Sequence, residues 1–346
     1  MVWIKFLICA VLIFISGTIL SKYADMLADK TGMGRTWIGL ILLATVTSLP
    51  ELATGISSVT VANAPDIAAG DVLGSCVFNL MLIGMIDLFY KPAPVLTKAQ
   101  QGNILSAGFG ILLIGLASLG IVLGTQTRLW SGGWISPLTP VIFVVYYAAI
   151  RMVFQYEKKR MSEFIKAEAE TLEAGGVELP VVYRNIVIHS VVIIAAGSWL
   201  PFIGNEIAEI TGWGKTFVGG FIIAASTSLP EIVTSFTALR LGALDLAVAN
   251  LLGSNLFNIA VLGVDDLFYT KGSLFSDISV FHLFPALTAI LMTGITVIGL
   301  IFGIQKKAWL TISWDGIALV GLYFLNMVLL YKAATASQGI LDNLFK

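Results

Sequence analysis

The residues best suited to chemistry are two glutamates, Glu51 and Glu231, each of which follows an identical Thr-Ser-Leu-Pro stretch. Both lie within long apolar segments of the chain. A carboxylate inside a membrane is costly unless a cation or a hydrogen-bonding group compensates its charge. The neighbouring Thr and Ser hydroxyls, with backbone carbonyls freed by the prolines, form a hard oxygen environment. Such an environment suits Na⁺ or Ca²⁺ better than a soft transition metal.

A second motif, Gly-Ser-x-x-Phe-Asn, supplies further oxygen atoms. Ser75 and Asn79 are four residues apart, as are Ser254 and Asn258. This spacing places both side chains of a pair on one face of a helix. Their oxygens would add ligands without adding charge. The two glutamates alone would then balance one Ca²⁺ or two Na⁺, an equality that an ion exchanger requires.

Both motifs belong to a longer internal duplication. Residues 39–90 and 219–269 carry the two motifs in the same order, and both end in Asp-Leu-Phe-Tyr. A repeat of this length indicates a duplicated gene segment. A proline kink and close helix packing would explain each motif taken alone. Packing would leave both glutamates without partners, however, so we favour an ion site.

The composition places this site inside a membrane. Hydrophobic residues make up 57% of the chain and charged residues only 12%, with a mean hydropathy of +0.92. The net charge of −1 leaves no basic surface for nucleic acid. Neither a disulfide framework nor a catalytic motif is present, so we predict that the protein is not an enzyme and uses no cofactor. Its predicted ligands are the transported ions, and its surroundings are the lipid bilayer.

Ten apolar segments are long enough to cross a hydrocarbon core of about 30 Å. The predicted fold is therefore an all-α integral membrane protein with ten transmembrane helices. The segments cover about 2–22, 36–62, 66–90, 102–124, 137–156, 183–203, 214–241, 245–269, 281–303 and 310–332.

A charged segment, residues 157–182, divides the ten helices into five and five. The predicted units are residues 1–156 and 183–346, joined by this linker. An odd number of crossings per unit makes the two repeats inverted, with broken helices meeting at the membrane midplane. Most Lys and Arg residues fall on the side of the linker, which predicts a cytoplasmic linker and both termini outside.

The two motif pairs resemble the alpha repeats of the sodium/calcium exchanger family, within the calcium/cation antiporter superfamily. The matching stretches are TSLPE with GSCVFN (47–51 and 74–79) and TSLPE with GSNLFN (227–231 and 253–258). The resemblance covers essentially the whole chain, and the short central loop is similar to that of prokaryotic members. It implies exchange of Na⁺ for Ca²⁺. We further expect alternating access as the mechanism, the plasma membrane as the location and a monomer as the functional unit.

The resemblance also implies which residues bind the ions. One departure is Asn258, where well-studied members of the family carry Asp. The expected metal ligands are Glu51, Glu231, Asn79, Asn258, Thr47, Ser48, Thr227, Ser228, Ser75 and Ser254, with the backbone carbonyls of Ala44 and Ala224.

Two other functions remain open from the sequence. A proton/calcium antiporter of the same superfamily would fit the symmetric set of two Glu and two Asn. A cation channel would use similar oxygen ligands. Asp71, which stands where the second repeat has Asn250, fits either the ion path or a polar pocket.

Overall fold

The computed structural model describes residues 1–31, 44–99, 102–127, 133–165, 178–240, 244–303, 307 and 312–344. Within these ranges the chain is helical and contains no β-strand beyond one isolated bridge residue. The main helices are α1 (Val2–Thr31), α2 (Ala44–Thr47), α3 (Leu49–Thr60), α4 (Pro65–Phe89), α5 (Gly102–Val122), α6 (Leu138–Ile165), α7 (Leu179–Thr211), α8 (Ala224–Thr227), α9 (Leu229–Arg240), α10 (Leu244–Phe268), α11 (Leu283–Phe302) and α12 (Trp314–Leu344).

Shorter helical segments connect several of these helices. Two of them, Leu123–Thr127 and Val218–Ile223, are π-helical. The others are Val95–Lys98, Lys215–Phe217, Leu274–Asp277 and Val280–His282.

Eight helices of the described ranges are long and apolar enough to cross a membrane, and nine if the bent pair Lys215–Thr227 and Leu229–Arg240 counts as one crossing. The protein is therefore a multi-pass membrane protein. The predicted segment 36–62 corresponds in part to α2 and α3, and its residues 36–43 lie outside the described part of the chain. Each of the other predicted segments overlaps an observed helix.

The helices next to the linker extend further than the sequence indicates. Helix α6 continues to Ile165, so the start of the predicted linker belongs to a helix. Helix α7 begins at Leu179, before the predicted start of the second unit at 183. Pro180 lies in its first turn, where a proline needs no intrahelical hydrogen-bond partner. Residues 166–177 of the linker lie outside the described ranges.

Helices α4 and α10 form the centre of the molecule. The membrane-crossing part of α4 is 83% buried and that of α10 is 89% buried, whereas the corresponding parts of α1 and α6 are 28% and 22% buried. In a membrane the exposed apolar side chains of the outer helices face lipid. The two Gly-Ser-x-x-Phe-Asn motifs therefore lie on the two innermost helices.

The outer helices α1 and α7 each cross the broken helix of the other half at a glycine. A Cβ atom on Gly17 of α1 would lie 2.5 Å from Cγ of Pro230. A Cβ atom on Gly197 of α7 would lie 3.1 Å from the carbonyl oxygen of Pro50. Small residues allow helices to approach this closely in membranes.

A proline in α7 creates a further link between the halves. Pro201 lacks an N–H group, so the carbonyl of Gly197, four residues earlier, loses its helical partner. The Thr54 hydroxyl of α3 donates a hydrogen bond to this carbonyl at 3.1 Å. The Ser57 hydroxyl donates to the neighbouring Ser198 carbonyl at 2.6 Å. The bond from Thr54 satisfies the one carbonyl that Pro201 leaves without a partner, where the bilayer core supplies no water.

The Asp of each Asp-Leu-Phe-Tyr sequence anchors the loop that follows. Asp87 accepts hydrogen bonds from the backbone N–H groups of Val95, at 2.8 Å, and Ser313, at 2.6 Å. Asp266 accepts from the N–H groups of Leu274, at 2.7 Å, and Ser136, at 2.8 Å. Both carboxylates thereby connect their own helix to a distant segment.

We expect Asp266→Asn to destabilise the protein by roughly 2 kcal/mol, because hydrogen bonds to a charged acceptor are stronger than neutral ones. The thermal unfolding of the purified protein in detergent measures this loss. Glu209→Gln is the matched control, since Glu209 is exposed on α7 and a surface change of this kind alters stability by less than about 0.5 kcal/mol. Equal unfolding temperatures for the two variants would contradict the anchoring role.

Candidate ion-binding site

The helix that carries each Thr-Ser-Leu-Pro-Glu motif is interrupted at the serine. Helix α2 ends one residue before Ser48 and α3 begins one residue after it, and α8 and α9 flank Ser228 in the same way. The motif prolines occupy the second positions of α3 and α9, where a missing N–H leaves no hydrogen bond unmade. Glu51 and Glu231 therefore fall in the first turn of a new helix, whose N-terminus stabilises negative charge.

Each motif serine contacts the glutamate of the other half. The Ser48 hydroxyl donates to Oε1 of Glu231 at 3.0 Å, and the Ser228 hydroxyl donates to Oε1 of Glu51 at 3.2 Å. Both glutamates are fully buried. Their carboxylates lie close enough to repel each other. Because each serine bonds the glutamate of the other half, the two glutamates lie in one site.

Helices α4 and α10 supply the opposite wall. The Ser75 hydroxyl donates to Oε1 of Glu51 at 3.3 Å, and the Ser254 hydroxyl donates to Oε1 of Glu231 at 3.3 Å. The Thr47 hydroxyl also hydrogen-bonds Glu231. Hydroxyl groups from both halves of the chain thus surround each glutamate.

Thr227 and the Ala224 carbonyl lie beside this group. The Thr227 Oγ1 atom is 3.5 Å from Ser75 Oγ and donates to Oδ1 of Asp71 at 2.7 Å. The Ala224 carbonyl is 3.2 Å from Thr227 Oγ1, and it also accepts the backbone N–H of Ser228 at 3.1 Å. The break therefore does not free this carbonyl completely, although a carbonyl oxygen has a second lone pair. Ala44 belongs to α2, and its role stays a prediction.

The two motif asparagines, unlike the motif serines, form no hydrogen bond with a glutamate. The Asn79 amide nitrogen donates to Oδ1 of Asn255 at 3.1 Å, and the Asn255 amide nitrogen donates to the Cys76 carbonyl at 3.2 Å. The Asn258 amide lies within reach of the Cys76 thiol, and its Oδ1 accepts no hydrogen bond. The structure thus places neither Asn79 nor Asn258 in a hydrogen bond to a glutamate.

Several buried oxygen atoms of the predicted ligands have no hydrogen-bond donor. They are Oε2 of Glu51, Oε2 of Glu231, Oδ1 of Asn79 and Oδ1 of Asn258. Buried polar atoms in native proteins are normally satisfied, so unsatisfied ones mark a place for a ligand or strain. Within the described residues, no group of three or more His, Cys, Asp or Glu side chains could hold a metal on its own. A cation here would depend on two carboxylates with hydroxyl, amide and carbonyl oxygens, a donor set that fits a hard ion.

A model of the family "Sodium/calcium exchanger protein" matches residues 1–156 and 185–332. The chain belongs to this family. The general activity of the chain is accordingly the exchange of a cation for Ca²⁺ across a membrane. The match includes both broken helices and both central helices, so the site described above lies within the part that is common to the family.

Individual relatives agree with this assignment. The chain is 26% identical over 341 residues to the sodium/calcium exchanger MaX1 of Methanosarcina acetivorans, covering 90% of this chain and 93% of the relative. It is 26% identical over 246 residues to the inner membrane protein YrbG of Escherichia coli, covering 69% and 71%. A solved structure of the sodium-calcium exchanger NCX_Mj superposes with a TM-score of 0.62 at 19% identity, covering 95% of this chain and 99% of that one. This superposition shows the same fold.

Two acidic residues near the site were not singled out as ligands from the sequence. Asp71, left open above, is fully buried and bonded to Thr227. Asp265 is also fully buried, and neither of its carboxylate oxygens has a partner. Its signal in the sequence is an ionisable residue inside an apolar segment, at a position where the first repeat has Ile86.

Proposed function

We propose that the protein exchanges Na⁺ for Ca²⁺ at a single site centred on Glu51 and Glu231. The observation that carries this proposal is the pair of buried carboxylates, each with one oxygen lacking a partner. Two negative charges match one Ca²⁺ or two Na⁺, so both loaded forms are neutral. An empty site would keep both charges in the low-dielectric interior, which disfavours movement without an ion.

The proposed ligands are those of the predicted set. Ser48, Ser228, Ser75 and Ser254 already hydrogen-bond the glutamates, which supports their assignment. Thr47, Thr227 and the Ala224 carbonyl lie beside them, while Asn79, Asn258 and the Ala44 carbonyl complete the set as predictions. Ca²⁺ takes about six to eight oxygen ligands, a number that this set can supply.

We further propose that the fold consists of ten transmembrane helices in two inverted repeats, residues 1–156 and 183–346. The reciprocal bonds Ser48 to Glu231 and Ser228 to Glu51 support this symmetry. The proposed location is the plasma membrane, with both termini outside, the 157–182 linker in the cytoplasm and the monomer as the functional unit in the lipid bilayer. The concentration of Lys and Arg on the linker side supports the orientation.

The proposed mechanism is alternating access, in which α1 and α7 move across the broken helices. A cavity of about 300 Å³ supports a path on one side of the site. It lies between α1, α9 and α10, and its lining includes Lys22, Thr234, Thr237 and Asn250. In the proposed orientation Lys22 is on the cytoplasmic side, so this cavity would open inward.

The glycine crossings provide a test of this movement. We expect Gly17→Ala to slow exchange by about 10-fold for each ~1.4 kcal/mol of added strain, because its Cβ would overlap the Pro230 ring. Ca²⁺ binding should fall less than the exchange rate, since Gly17 is not among the proposed ligands although it contacts Pro230, the residue before Glu231. Exchange of radiolabelled Ca²⁺ across proteoliposome membranes and binding in detergent give the two quantities.

Gly197→Ala is the matched comparison for Gly17→Ala. Its new Cβ would have no neighbour closer than 3.1 Å, whereas that of Gly17→Ala would have one at 2.5 Å. The effect of Gly197→Ala on the exchange rate should therefore be smaller. Wild-type exchange in Gly17→Ala would contradict movement of α1 past Pro230.

Competition between the two ions tests the shared site. Radiolabelled Ca²⁺ bound to the purified protein in detergent should be displaced by Na⁺ but not by choline at the same ionic strength. The displacement should be cooperative, because more than one Na⁺ is needed to replace the charge of one Ca²⁺. Ca²⁺ binding that Na⁺ leaves unchanged would refute a shared site for the two ions.

A further inference from the structure

Two buried aspartates lie next to the glutamate site without being part of it. Asp71 belongs to α4 and Asp265 to α10, and both are fully buried. Both oxygens of Asp265 and Oδ2 of Asp71 lack a hydrogen-bond partner. Neither aspartate forms a salt bridge within the described part of the chain. Buried carboxylates in this state are strongly destabilising unless something compensates their charge.

The Asp265 carboxylate is closely packed against the neighbouring helix α3. Its carboxylate lies against the backbone of Gly55, one helical turn beyond Glu51 on α3. A Cβ atom on Gly55 would lie 2.4 Å from each of the two carboxylate oxygens. The absence of a side chain at this position is therefore what admits the carboxylate.

Asp71 lies between Asp265 and the glutamate site. Its Oδ1 accepts a hydrogen bond from Thr227 at 2.7 Å, and its other oxygen is unpaired. The Asp71 and Asp265 carboxylates repel each other. Asp71 also repels Glu51 and Glu231. Asp71 is thus within electrostatic range of Asp265 and of both glutamates. A cation bound at the glutamates alone would leave the two aspartates uncompensated.

We propose that Asp71 and Asp265 bind a further cation, a monovalent alkali ion, beside the exchange site. Carboxylate oxygens without donors are suitable ligands for a hard cation. Ca²⁺ takes about six to eight oxygens, whereas three carboxylate oxygens are free here. A monovalent ion also repels the ion at the glutamate site less than a second Ca²⁺ would. The binding does not depend on which ion the glutamates exchange.

Each of the two aspartates has an uncharged residue at the equivalent position of the other repeat. The second repeat has Asn250 at the position of Asp71, and the first repeat has Ile86 at the position of Asp265. The Asn250 amide donates to the Thr234 hydroxyl at 3.2 Å. The second repeat thus accommodates an amide at the position that corresponds to Asp71. The symmetry-related positions therefore hold no carboxylate, so the proposed ion site occurs only once among the described residues, and Asp71→Asn is a conservative way to remove it.

Equilibrium dialysis of the full chain in detergent, with Ca²⁺ chelated, tests the proposal. The probes are radiolabelled Na⁺ and, as a tracer for K⁺, radiolabelled Rb⁺. We expect the Glu51→Gln/Glu231→Gln variant to retain one bound alkali ion per chain. Adding Asp265→Asn or Asp71→Asn to that variant should abolish this binding. In the wild-type background, Asp265→Asn should lower the number of bound ions by one.

The controls separate this proposal from the exchange function. Gly55→Ala keeps both aspartates but fills the space beside Asp265, so it should also lose the ion, whereas Gly108→Ala meets nothing within 4 Å and should keep it. Retention of the ion in the glutamate double variant supports the proposed ion site even if the wild type shows no Na⁺-dependent Ca²⁺ transport. Absence of any bound alkali ion in that variant, or unchanged binding in Asp265→Asn, would overturn the proposal.

Discussion

Replacing Glu51 or Glu231 by Gln is expected to lower Ca²⁺ uptake by at least about 100-fold. Each replacement removes one of two charges that hold the ion. A pair of unit charges 4 Å apart interacts by about 4 kcal/mol at an intermediate dielectric, and a factor of ten in affinity corresponds to about 1.4 kcal/mol. Glutamine keeps the shape of the side chain and its hydrogen bonds to serine, so the loss reports charge. Uptake of radiolabelled Ca²⁺ into proteoliposomes measures it.

Glu206→Gln provides the control for these two variants. Glu206 of α7 forms an ion pair with Lys5 at 2.7 Å, and both side chains are more than a third exposed. Such a pair contributes little to stability, and it lies outside the proposed site. Glu206→Gln should therefore transport Ca²⁺ at close to the wild-type rate. Wild-type Ca²⁺ uptake by either the Glu51→Gln or the Glu231→Gln variant would contradict the proposed role of the two glutamates in binding the ion.

Gly74→Ala is expected to destabilise the protein by about 1–3 kcal/mol, the range found for overpacked interiors. A Cβ atom on Gly74 would lie 2.3 Å from the carbonyl oxygen of Gly220. That oxygen belongs to the backbone of the π-helical segment, so no side chain can move to make room. Because Ser75 is the next residue, the shift should also disturb its bond to Glu51. Thermal unfolding in detergent and the yield of folded protein are the measurements.

The same substitution at Gly108 should have the opposite sign. Nothing lies within 4 Å of a Cβ atom at this position of α5, and alanine is preferred over glycine within a helix by up to about 1 kcal/mol. Gly108→Ala should therefore unfold at the wild-type temperature or above it. A Gly74→Ala variant as stable as Gly108→Ala would contradict the close contact between α4 and the Val218–Ile223 segment.

The membrane class and the position of the helices follow from composition and from the length of the apolar segments. The match between predicted and observed bounds is closest for α4 and α10, because a charged or turn-forming residue limits each apolar run. The ends of α6 and α7 were less predictable. Charged residues such as those after Tyr156 can extend a helix into water as readily as they can end it.

The sequence predicts that Glu51 and Glu231 share a site, but it does not predict how they are paired. Ser48 precedes Glu51 in the chain and nevertheless bonds Glu231. Both repeats contain the same motif. The sequence would therefore be the same whether each serine bonds the glutamate of its own half or that of the other half. Only the packing of the two broken helices against each other distinguishes the two arrangements.

The internal repeat could not indicate a role for Asp265 or Asn255. The duplication directs attention to residues that occur in both copies, whereas Asp265 corresponds to Ile86 and Asn255 to Cys76. Positions at which the two copies carry different residues make the two halves of the site chemically different. Buried polar residues that break an internal repeat are therefore candidates for specific chemistry.

The most direct test of the central claim is Ca²⁺ uptake by wild-type proteoliposomes loaded with Na⁺, with K⁺ or with choline, each with and without a pH gradient. Exchange of Na⁺ for Ca²⁺ predicts uptake that requires internal Na⁺ and ignores the pH gradient. Uptake that follows the pH gradient in the absence of Na⁺ would contradict the proposal and indicate a proton/calcium antiporter. Uptake that proceeds with choline alone and no pH gradient would indicate a channel.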